Sequence, residues 1–86
     1  MKLYVRHQVA NFKNWKTAYD QHDATRKQFG CTAASVFTNS ENPNEVLAVH
    51  EWDSKEDAVK FIQSPELKEA MQKAGVVTAP EISFAE

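Results

Sequence analysis

The amino-acid sequence predicts an α+β fold of element order β-α-β-β-α-β, with one antiparallel sheet and both helical segments on one face. Three observations predict it. Apolar residues alternate with period two near the N-terminus, recur with helical spacing in two longer segments, and form two β-rich runs between those segments. Short connections and right-handed crossovers then favour a single four-stranded sheet.

The first strand and helix are predicted from a change of period. Residues 3–9 alternate between two faces, which is typical of a strand. From residue 12 to 29 the period becomes helical, with Asn11 as the N-cap and Gly30 as the left-handed C-terminal residue. The helical stripe has successive spacings of 3, 4, 3, 4 and 3 and consists of Phe12, Trp15, Tyr19, His22, Arg26 and Phe29.

Two further strands are predicted in the middle of the chain. Residues 31–38 are rich in small and β-branched side chains, and residues 45–52 contain three aliphatic ones. The connection between them contains Asn42-Pro43-Asn44, which is turn chemistry. A β-hairpin is therefore expected here.

A second helical segment and a last strand complete the prediction. Ser54 is a candidate N-cap, Ser64-Pro65 interrupts the helix and restarts it, and Gly75 closes it. Residues 81–84 form the last strand. The resulting βαββαβ arrangement is ferredoxin-like.

Size and composition limit the functional classes. A chain of 86 residues makes one domain, residues 1–86, with net charge −2 and a pI of about 5.9. This charge argues against a nucleic-acid partner, which requires an excess of Lys and Arg. Cys31 stands alone, which excludes an internal disulfide, and the charged N-terminus resembles neither a signal peptide nor a membrane span. No membrane association and a cytoplasmic location are therefore expected.

The sheet face turned away from the helices is predicted to be a dimer interface. It would carry Tyr4, Arg6 and, by alternation, parts of the hairpin. A domain of this size buries only roughly 60–65% of its unfolded surface. A second copy on this face would cover it and enlarge the core, so a homodimer is expected.

Four short segments of the chain carry a family resemblance: Leu3-Tyr4-Val5-Arg6-His7, Phe12 with Trp15, Trp52-Asp53-Ser54 and Ser64-Pro65-Glu66-Leu67. With these segments the chain resembles the dimeric α+β-barrel superfamily and, within it, the small antibiotic-biosynthesis-monooxygenase-like proteins. That resemblance implies a dimer of facing sheets and a pocket between helices and sheet. Some members oxygenate polycyclic aromatic substrates without metal or cofactor, through a deprotonated substrate, whereas others degrade haem and many have no known activity.

This chain departs from the family pattern at two places. Haem-degrading relatives place a Trp and a His where this sequence has Phe61 and Met71, which argues against haem degradation. Many monooxygenase-like members carry a His shortly before the Ser-Pro break, where Phe61 stands here. The absence of this His also argues against an oxygenase and is what a non-catalytic member of the family would show.

His22, Arg26 and His7 are the candidate catalytic residues. His22 and Arg26 lie within an aromatic helical stripe, where unpaired ionisable groups are costly. Arg26 would bind a phenolate or other anionic oxygen and His22 would move a proton. Alternatively, Arg26 extends to the helix edge and His22 is a satisfied boundary residue. His7 would face the same space if its strand face meets the helices. Two imidazoles in that space could bind a metal, but no Asp, Glu or Cys stands at a ligand spacing beside them, so no metal site is predicted. The chain has only two glycines and no Gly-rich phosphate loop, so no cofactor is predicted.

Six further residues are candidate ligand contacts. They are predicted to surround a small aromatic molecule, and each also has a purely structural interpretation as core. His50 and Trp52 share one strand face, which is either the pocket or the dimer interface, and an interfacial position is preferred for Trp52. Cys31 is interpreted as a small buried strand residue. The six are Trp15, Tyr19, Phe29, Phe61, His50 and Trp52.

Three functional hypotheses follow from the sequence. The first is a cofactor-independent, monooxygenase-like enzyme for a small aromatic or polyketide-like molecule. The second is a non-catalytic homodimeric module that binds a small ligand or serves as an accessory unit. The third is a haem- or metal-dependent protein, which predicts a coloured or metal-loaded preparation.

Overall fold

Four strands and four helices make up the fold in the computed structural model, which describes all residues, 1–86. The strands are β1 (Lys2–Gln8), β2 (Cys31–Thr38), β3 (Glu45–Trp52) and β4 (Glu81–Ala85). The helices are α1 (Phe12–Gln21), α2 (Asp23–Phe29), α3 (Lys55–Ile62) and α4 (Pro65–Lys73). The sheet order is β2-β3-β1-β4 and all neighbouring strands are antiparallel. The predicted ferredoxin-like α+β fold is confirmed.

The prediction of one continuous helix over residues 12–29 is wrong. The chain leaves the helix at His22, whose φ and ψ are −90° and 4°. The backbone N–H of His22 donates to the carbonyl of Tyr19 at 3.1 Å, and the His22 carbonyl accepts the N–H of Arg26 at 3.0 Å. A single-residue turn thus separates α1 from α2. The spacing of the stripe does not reveal this break, because the intervals of three and four residues continue on both sides of His22.

Helix ends follow the predicted caps. The side chains of Asn11, Ser54 and Ser64 each accept a hydrogen bond from the backbone N–H three residues later, at 3.1, 3.1 and 3.2 Å. Gly30 ends α2 with a φ of 113°, which other residues rarely adopt. A Cβ at this position would also lie 2.8 Å from Oδ2 of Asp57, so the Asp57 side chain would have to move.

The register of β1 and β3 decides which side chains face the helices. On that inner face, three pairs of residues stand opposite each other: Leu3 with His50, Val5 with Ala48, and His7 with Val46. Leu3 and Val46 are fully buried, and both histidines are buried as well. The inner face of the two central strands therefore carries two imidazoles within an otherwise apolar surface.

The core consists of two clusters on the inner face. One contains Leu3, Cys31, Trp52, Ala58 and Phe61, and the other contains Val9, Trp15 and Val46. Trp52 is only 3% exposed and packs with Phe61, so its preferred assignment to a dimer interface is wrong. Cys31 is buried as interpreted, and burial raises the pKa of its thiol. None of the helices is long and apolar enough to span a membrane.

Candidate functional site

A cavity of about 110 Å³ lies between the helices and the inner face of the sheet. Its floor includes Leu3, Val5 and Ala48 from the central strands. The polar side chains of the cavity come from β1, β3, α1, α2 and the turn between α1 and α2. We call them the polar wall: His7, Tyr19, His22, Arg26 and His50. We call the side chains from α3, α4, β4 and the segment before β4 the apolar wall: Phe61, Ile62, Leu67, Ala70, Met71, Pro80 and Ile82.

A short hydrogen bond joins α1 to β3 in the polar wall. The hydroxyl of Tyr19 lies 2.6 Å from Nε2 of His50. The guanidinium carbon of Arg26 lies 3.7 Å from the centre of the Tyr19 ring, and Nη1 of Arg26 donates to the backbone carbonyl of Tyr19 at 2.8 Å. Tyr19 is therefore held through its ring, its hydroxyl and its backbone. The break at His22 separates the helix that carries Tyr19 from the helix that carries Arg26.

Four aromatic rings form a continuous arc along the polar wall. The His7 and Trp15 rings are 5.4 Å apart between centres, Trp15 and Tyr19 are stacked at 4.8 Å, and Tyr19 and His50 are stacked at 5.9 Å. Trp15 also lines the cavity. The arc connects the two inner-face histidines along the side of the cavity that α1 forms.

Several buried polar atoms of the polar wall have no hydrogen-bond partner within the protein. They include both ring nitrogens of His7, Nδ1 of His50, Nδ1 of His22 and Nε of Arg26. A buried polar group without a partner costs about 1–3 kcal/mol. These atoms all belong to residues that line one cavity, where an ordered water or a bound molecule with polar groups could satisfy them.

Burial sets the protonation states of the polar wall. It lowers the pKa of His7, and together with the nearby Arg26 charge it lowers the pKa of His50 to about 4. Burial raises the pKa of Tyr19 to about 12 despite the opposing effect of Arg26. Both imidazoles and the phenol are therefore neutral at pH 7. The hydrogen bond between Tyr19 and His50 joins two neutral groups, and it leaves Nδ1 of His50 available to a ligand in either tautomer.

Arg26 is a buried positive charge with little compensation. Its side chain is 5% exposed, and its nearest carboxylate oxygen, Oδ1 of Asp23, is 3.8 Å away on a side chain that is half exposed. The Asp23 carboxylate is also held at 2.9 Å by Lys27, and that bond lowers the pKa of Asp23. A buried cation without a close counter-ion favours an anionic ligand or intermediate.

The structure brings together most of the residues predicted as a site. The three catalytic candidates line the same cavity as four of the predicted ligand contacts: Trp15, Tyr19, Phe61 and His50. Phe29 and Trp52 do not line it. Their rings lie 5.4 and 5.1 Å from the ring of Phe61, so they support that residue from the core.

The sequence analysis did not identify three residues of the apolar wall as candidate site residues. Leu67 and Met71 reach the cavity from α4, and Ile82 reaches it from β4. The helical spacing of Leu67, Ala70 and Met71 was a signal for the helix face, but only the packed structure shows what that face covers. No group of three or more His, Cys, Asp and Glu side chains is placed to hold a metal ion.

The solved structures that superpose on this chain include SnoaB and proteins assigned to the antibiotic biosynthesis monooxygenases. The chain superposes on a protein assigned to the antibiotic biosynthesis monooxygenases from Bordetella bronchiseptica with a TM-score of 0.81 and 16% identity, covering 95% of this chain and 90% of that one. It superposes on SnoaB, a cofactor-independent oxygenase from Streptomyces nogalater, with a TM-score of 0.76 and 10% identity, covering 99% and 91%. A conserved protein from Methanosarcina mazei Go1 gives 0.67 and 23%, covering 95% and 86%.

These structural similarities establish the fold. Among curated protein sequences, none is significantly similar to this chain. The family model described as antibiotic biosynthesis monooxygenase matches residues 6–73, which include α1 to α4 and all of β2 and β3. The chain therefore belongs to the antibiotic biosynthesis monooxygenase family.

Proposed function

We propose that this protein is a cofactor-independent, monooxygenase-like enzyme that acts on a small hydroxylated aromatic molecule in the cavity. The observation that carries the proposal is the combination of buried neutral imidazoles without protein partners and a buried, poorly compensated guanidinium around one apolar cavity. Family membership supports the same reaction class. A base beside a cationic group is what formation of a substrate anion requires.

His7 is the proposed general base. It is 6% exposed, lines the cavity, and has neither ring nitrogen engaged by the protein. Because burial lowers its pKa, the imidazole is neutral at pH 7 and has a lone pair for a substrate proton. His22 lines the same cavity with Nδ1 free and is the second candidate for this role.

Arg26 is proposed to stabilise the substrate anion. Its charge lies inside the protein, where attraction to an anion is much stronger than in water. The ring of Tyr19 beneath it and the Tyr19 carbonyl hold the guanidinium in place. The site thus supplies a fixed positive charge before the anion forms, so little reorganisation accompanies the proton transfer.

The substrate supplies all the electrons in this reaction. Removal of a proton leaves an electron-rich carbanion or phenolate that donates electrons to O₂. In an activated CH₂ group, one oxygen atom replaces both hydrogens to give a carbonyl, and the other oxygen atom takes up those two hydrogens as water. The four electrons that O₂ accepts come from that carbon, so the balance requires no external reductant.

Oxygen uptake tests this function. We expect purified protein to accelerate oxygen consumption with at least one member of a panel of phenols, quinols and anthrones, and ¹⁸O₂ to place one labelled atom in the product. His7→Gln should lower kcat by about 10²–10⁴-fold, because general-base catalysis contributes that much. Gln21→Ala, at the exposed end of α1 and outside both the cavity lining and the sheet, is the control and should retain full activity.

Two results would count against the proposal. Full activity of His7→Gln and His22→Gln would remove the histidine base, and full activity of Arg26→Met would remove the anion-stabilising role. Measurable binding of panel compounds without any oxygen uptake would instead favour the non-catalytic ligand-binding module.

The active form is proposed to be a homodimer formed through the outer face of the sheet. On this face Tyr4 stands opposite Val49, and Leu47 stands opposite Phe37, whose side chain is 55% exposed. These residues make an apolar surface across three strands, and such a surface on a small domain favours association. The family resemblance also implies this interface.

Light scattering of the purified protein tests the dimer. We expect twice the chain mass of 9.8 kDa for the unmodified protein and the chain mass for Phe37→Glu combined with Leu47→Lys. Gln21→Lys on the exposed end of α1 is the control and should leave the mass doubled. A monomeric unmodified protein at micromolar concentration would contradict the dimer.

A further inference from the structure

The helix α4 packs against the rest of the protein through apolar contacts alone. No hydrogen bond or ion pair joins its residues, Pro65–Lys73, to another helix or strand, and its one ion pair lies within the helix. None of its side chains is buried. The contacts that remain are made by half-buried side chains that line the cavity, those of Leu67, Ala70 and Met71.

The start of α4 is fixed to the end of α3. The hydroxyl of Ser64, which is itself buried, donates to the carbonyl of Phe61 at 2.7 Å and accepts the backbone N–H of Leu67 at 3.2 Å. The backbone N–H of Ser64 donates to the same Phe61 carbonyl at 3.1 Å. Ser64 is therefore a fixed point from which α4 begins.

The chain after α4 is fixed to the end of β1. The N–H of Ala10 donates to the carbonyl of Gly75, and the N–H of Val77 donates to the carbonyl of Gln8, each at 2.9 Å. Gly75 has a φ of 79°, in the left-handed region that favours glycine. A Cβ there would lie 3.7 Å from Cβ of Ala10, which is an ordinary contact, so the backbone conformation alone favours glycine at this position.

The other walls of the cavity are tied to the sheet or to the core. The hydrogen bond between Tyr19 and His50 joins the first helical pair to β3, and α3 buries Ala58 and Phe61. β4 is paired with β1 along its length. The floor is closed to solvent, since Ala48 is only 2% exposed. α4 is therefore the wall whose movement would open the cavity with the fewest broken contacts.

We infer that α4 is a lid, which moves away from the sheet as a unit between Ser64 and Gly75 and admits small molecules to the cavity. The movement separates half-buried apolar side chains and breaks no hydrogen bond between elements, so it requires much less free energy than global unfolding. The left-handed conformation of Gly75 belongs to the closed position. This inference goes beyond the proposed function, because it applies equally to a substrate and to a ligand that is not transformed.

Thiol labelling at two buried positions tests the lid. Ala48→Cys places a thiol on the cavity floor, whereas Cys31 lies in the core and does not line the cavity. With iodoacetamide, each rate is divided by the rate of the same thiol in the urea-unfolded chain. We expect the Ala48→Cys thiol to react about 100-fold faster than Cys31, because local opening uncovers the floor and only unfolding of the core uncovers Cys31. Equal rates would overturn the inference.

Amide hydrogen exchange identifies which wall moves. The hydrogen-bonded amides of α4 should exchange about 100-fold faster than those of α3, which is a core helix. Gly75→Ala strains the closed position, so it should speed both α4 exchange and labelling of the Ala48→Cys thiol by the same factor, about tenfold. Gly75→Asn is the matched control and should have a smaller effect, because Asn tolerates the left-handed region.

Two exchange results would overturn the lid. One is exchange of α4 no faster than that of α3, and the other is a Gly75→Ala variant in which only one of the two rates increases. The comparison of the two helices in the unmodified protein decides the inference even if Gly75→Ala fails to fold. Fast labelling of the floor without oxygen uptake would support the lid and contradict the oxygenase, whereas oxygen uptake with equal labelling rates would do the reverse.

Discussion

The two walls of the cavity invert the usual distribution of side chains. In the polar wall, His7, Arg26 and His50 are 6%, 4% and 4% exposed, which is rare for groups of this chemistry. In the apolar wall only Phe61 is buried, and Ile82 of β4 is 36% exposed. Polar groups thus lie deep in the protein while apolar groups lie at the edge. Burying these groups costs more free energy than burying apolar side chains would, and this supports the function proposed for the polar wall.

The helices show the same contrast. α2 buries a charged residue, Arg26, whereas α4 has no buried residue at all. α4 contributes Leu67, Ala70 and Met71 to the cavity only as half-buried side chains. The first helical pair therefore holds the chemical groups in place, and α4 covers the cavity without contributing much to the core. Four predictions test this comparison, from the largest expected effect to the smallest.

Phe61→Ala should lower the free energy of unfolding by about 3–5 kcal/mol, because it removes a buried ring that contacts Phe29 and Trp52. Met71→Ala is the matched change in α4 and should cost about 1 kcal/mol or less, since its side chain is half-buried. Urea denaturation followed by circular dichroism measures both. A cost for Met71→Ala equal to that for Phe61→Ala would show that α4 is a core element and remove the contrast between the helices.

Stability should fall by about 3 kcal/mol as the pH decreases from 6.5 to about 4, because of His50. In this range the unfolded chain binds a proton at His50 and the folded chain does not, so stability rises with pH. His7 adds a change of the same sign, since burial lowers its pKa as well. Urea midpoints between pH 4 and 7 measure the slope, and His50→Gln should flatten it. An equal slope in that variant would contradict the burial of a neutral His50.

His50→Phe should cost about 1–3 kcal/mol in the free energy of unfolding, because it leaves the part-buried hydroxyl of Tyr19 without its partner. Tyr19→Phe in the same background should recover part of that loss by removing the hydroxyl. A double-mutant cycle by urea denaturation gives the coupling between the two residues. Strict additivity of the two changes would show that the 2.6 Å contact contributes nothing to stability.

His7→Leu should leave the free energy of unfolding unchanged or raise it by up to about 1 kcal/mol, because both imidazole nitrogens are buried without protein partners. The proposed function requires the same variant to lose activity. Stability and turnover measured on one preparation test both statements. A clear loss of stability would mean that His7 is a structural residue, and the polar wall would then need no ligand to explain it.

Prediction from sequence succeeded where local chemistry is decisive. The bounds of β2 and β3 agree with the structure, and the capping roles of Asn11, Ser54 and Ser64 are confirmed, because turn and cap preferences act over a few residues. The break at His22 was missed because no side chain caps the start of α2 and no glycine or proline marks it. The position of Trp52 was misjudged because a shift of one residue in strand register exchanges the two faces.

The sequence by itself determined the order of the elements, the family resemblance and the unusual presence of His22 and Arg26 in an aromatic stripe. Those features depend on spacing along the chain and on residue type. Only the tertiary structure decided that His50 faces the cavity, that Tyr19 holds it, and that His7 and His50 lie toward opposite ends of one floor. Those features depend on the pairing of β1 with β3 and on the packing of α1 against them. Such contacts join residues about 30 or more positions apart, so no local pattern in the chain specifies them.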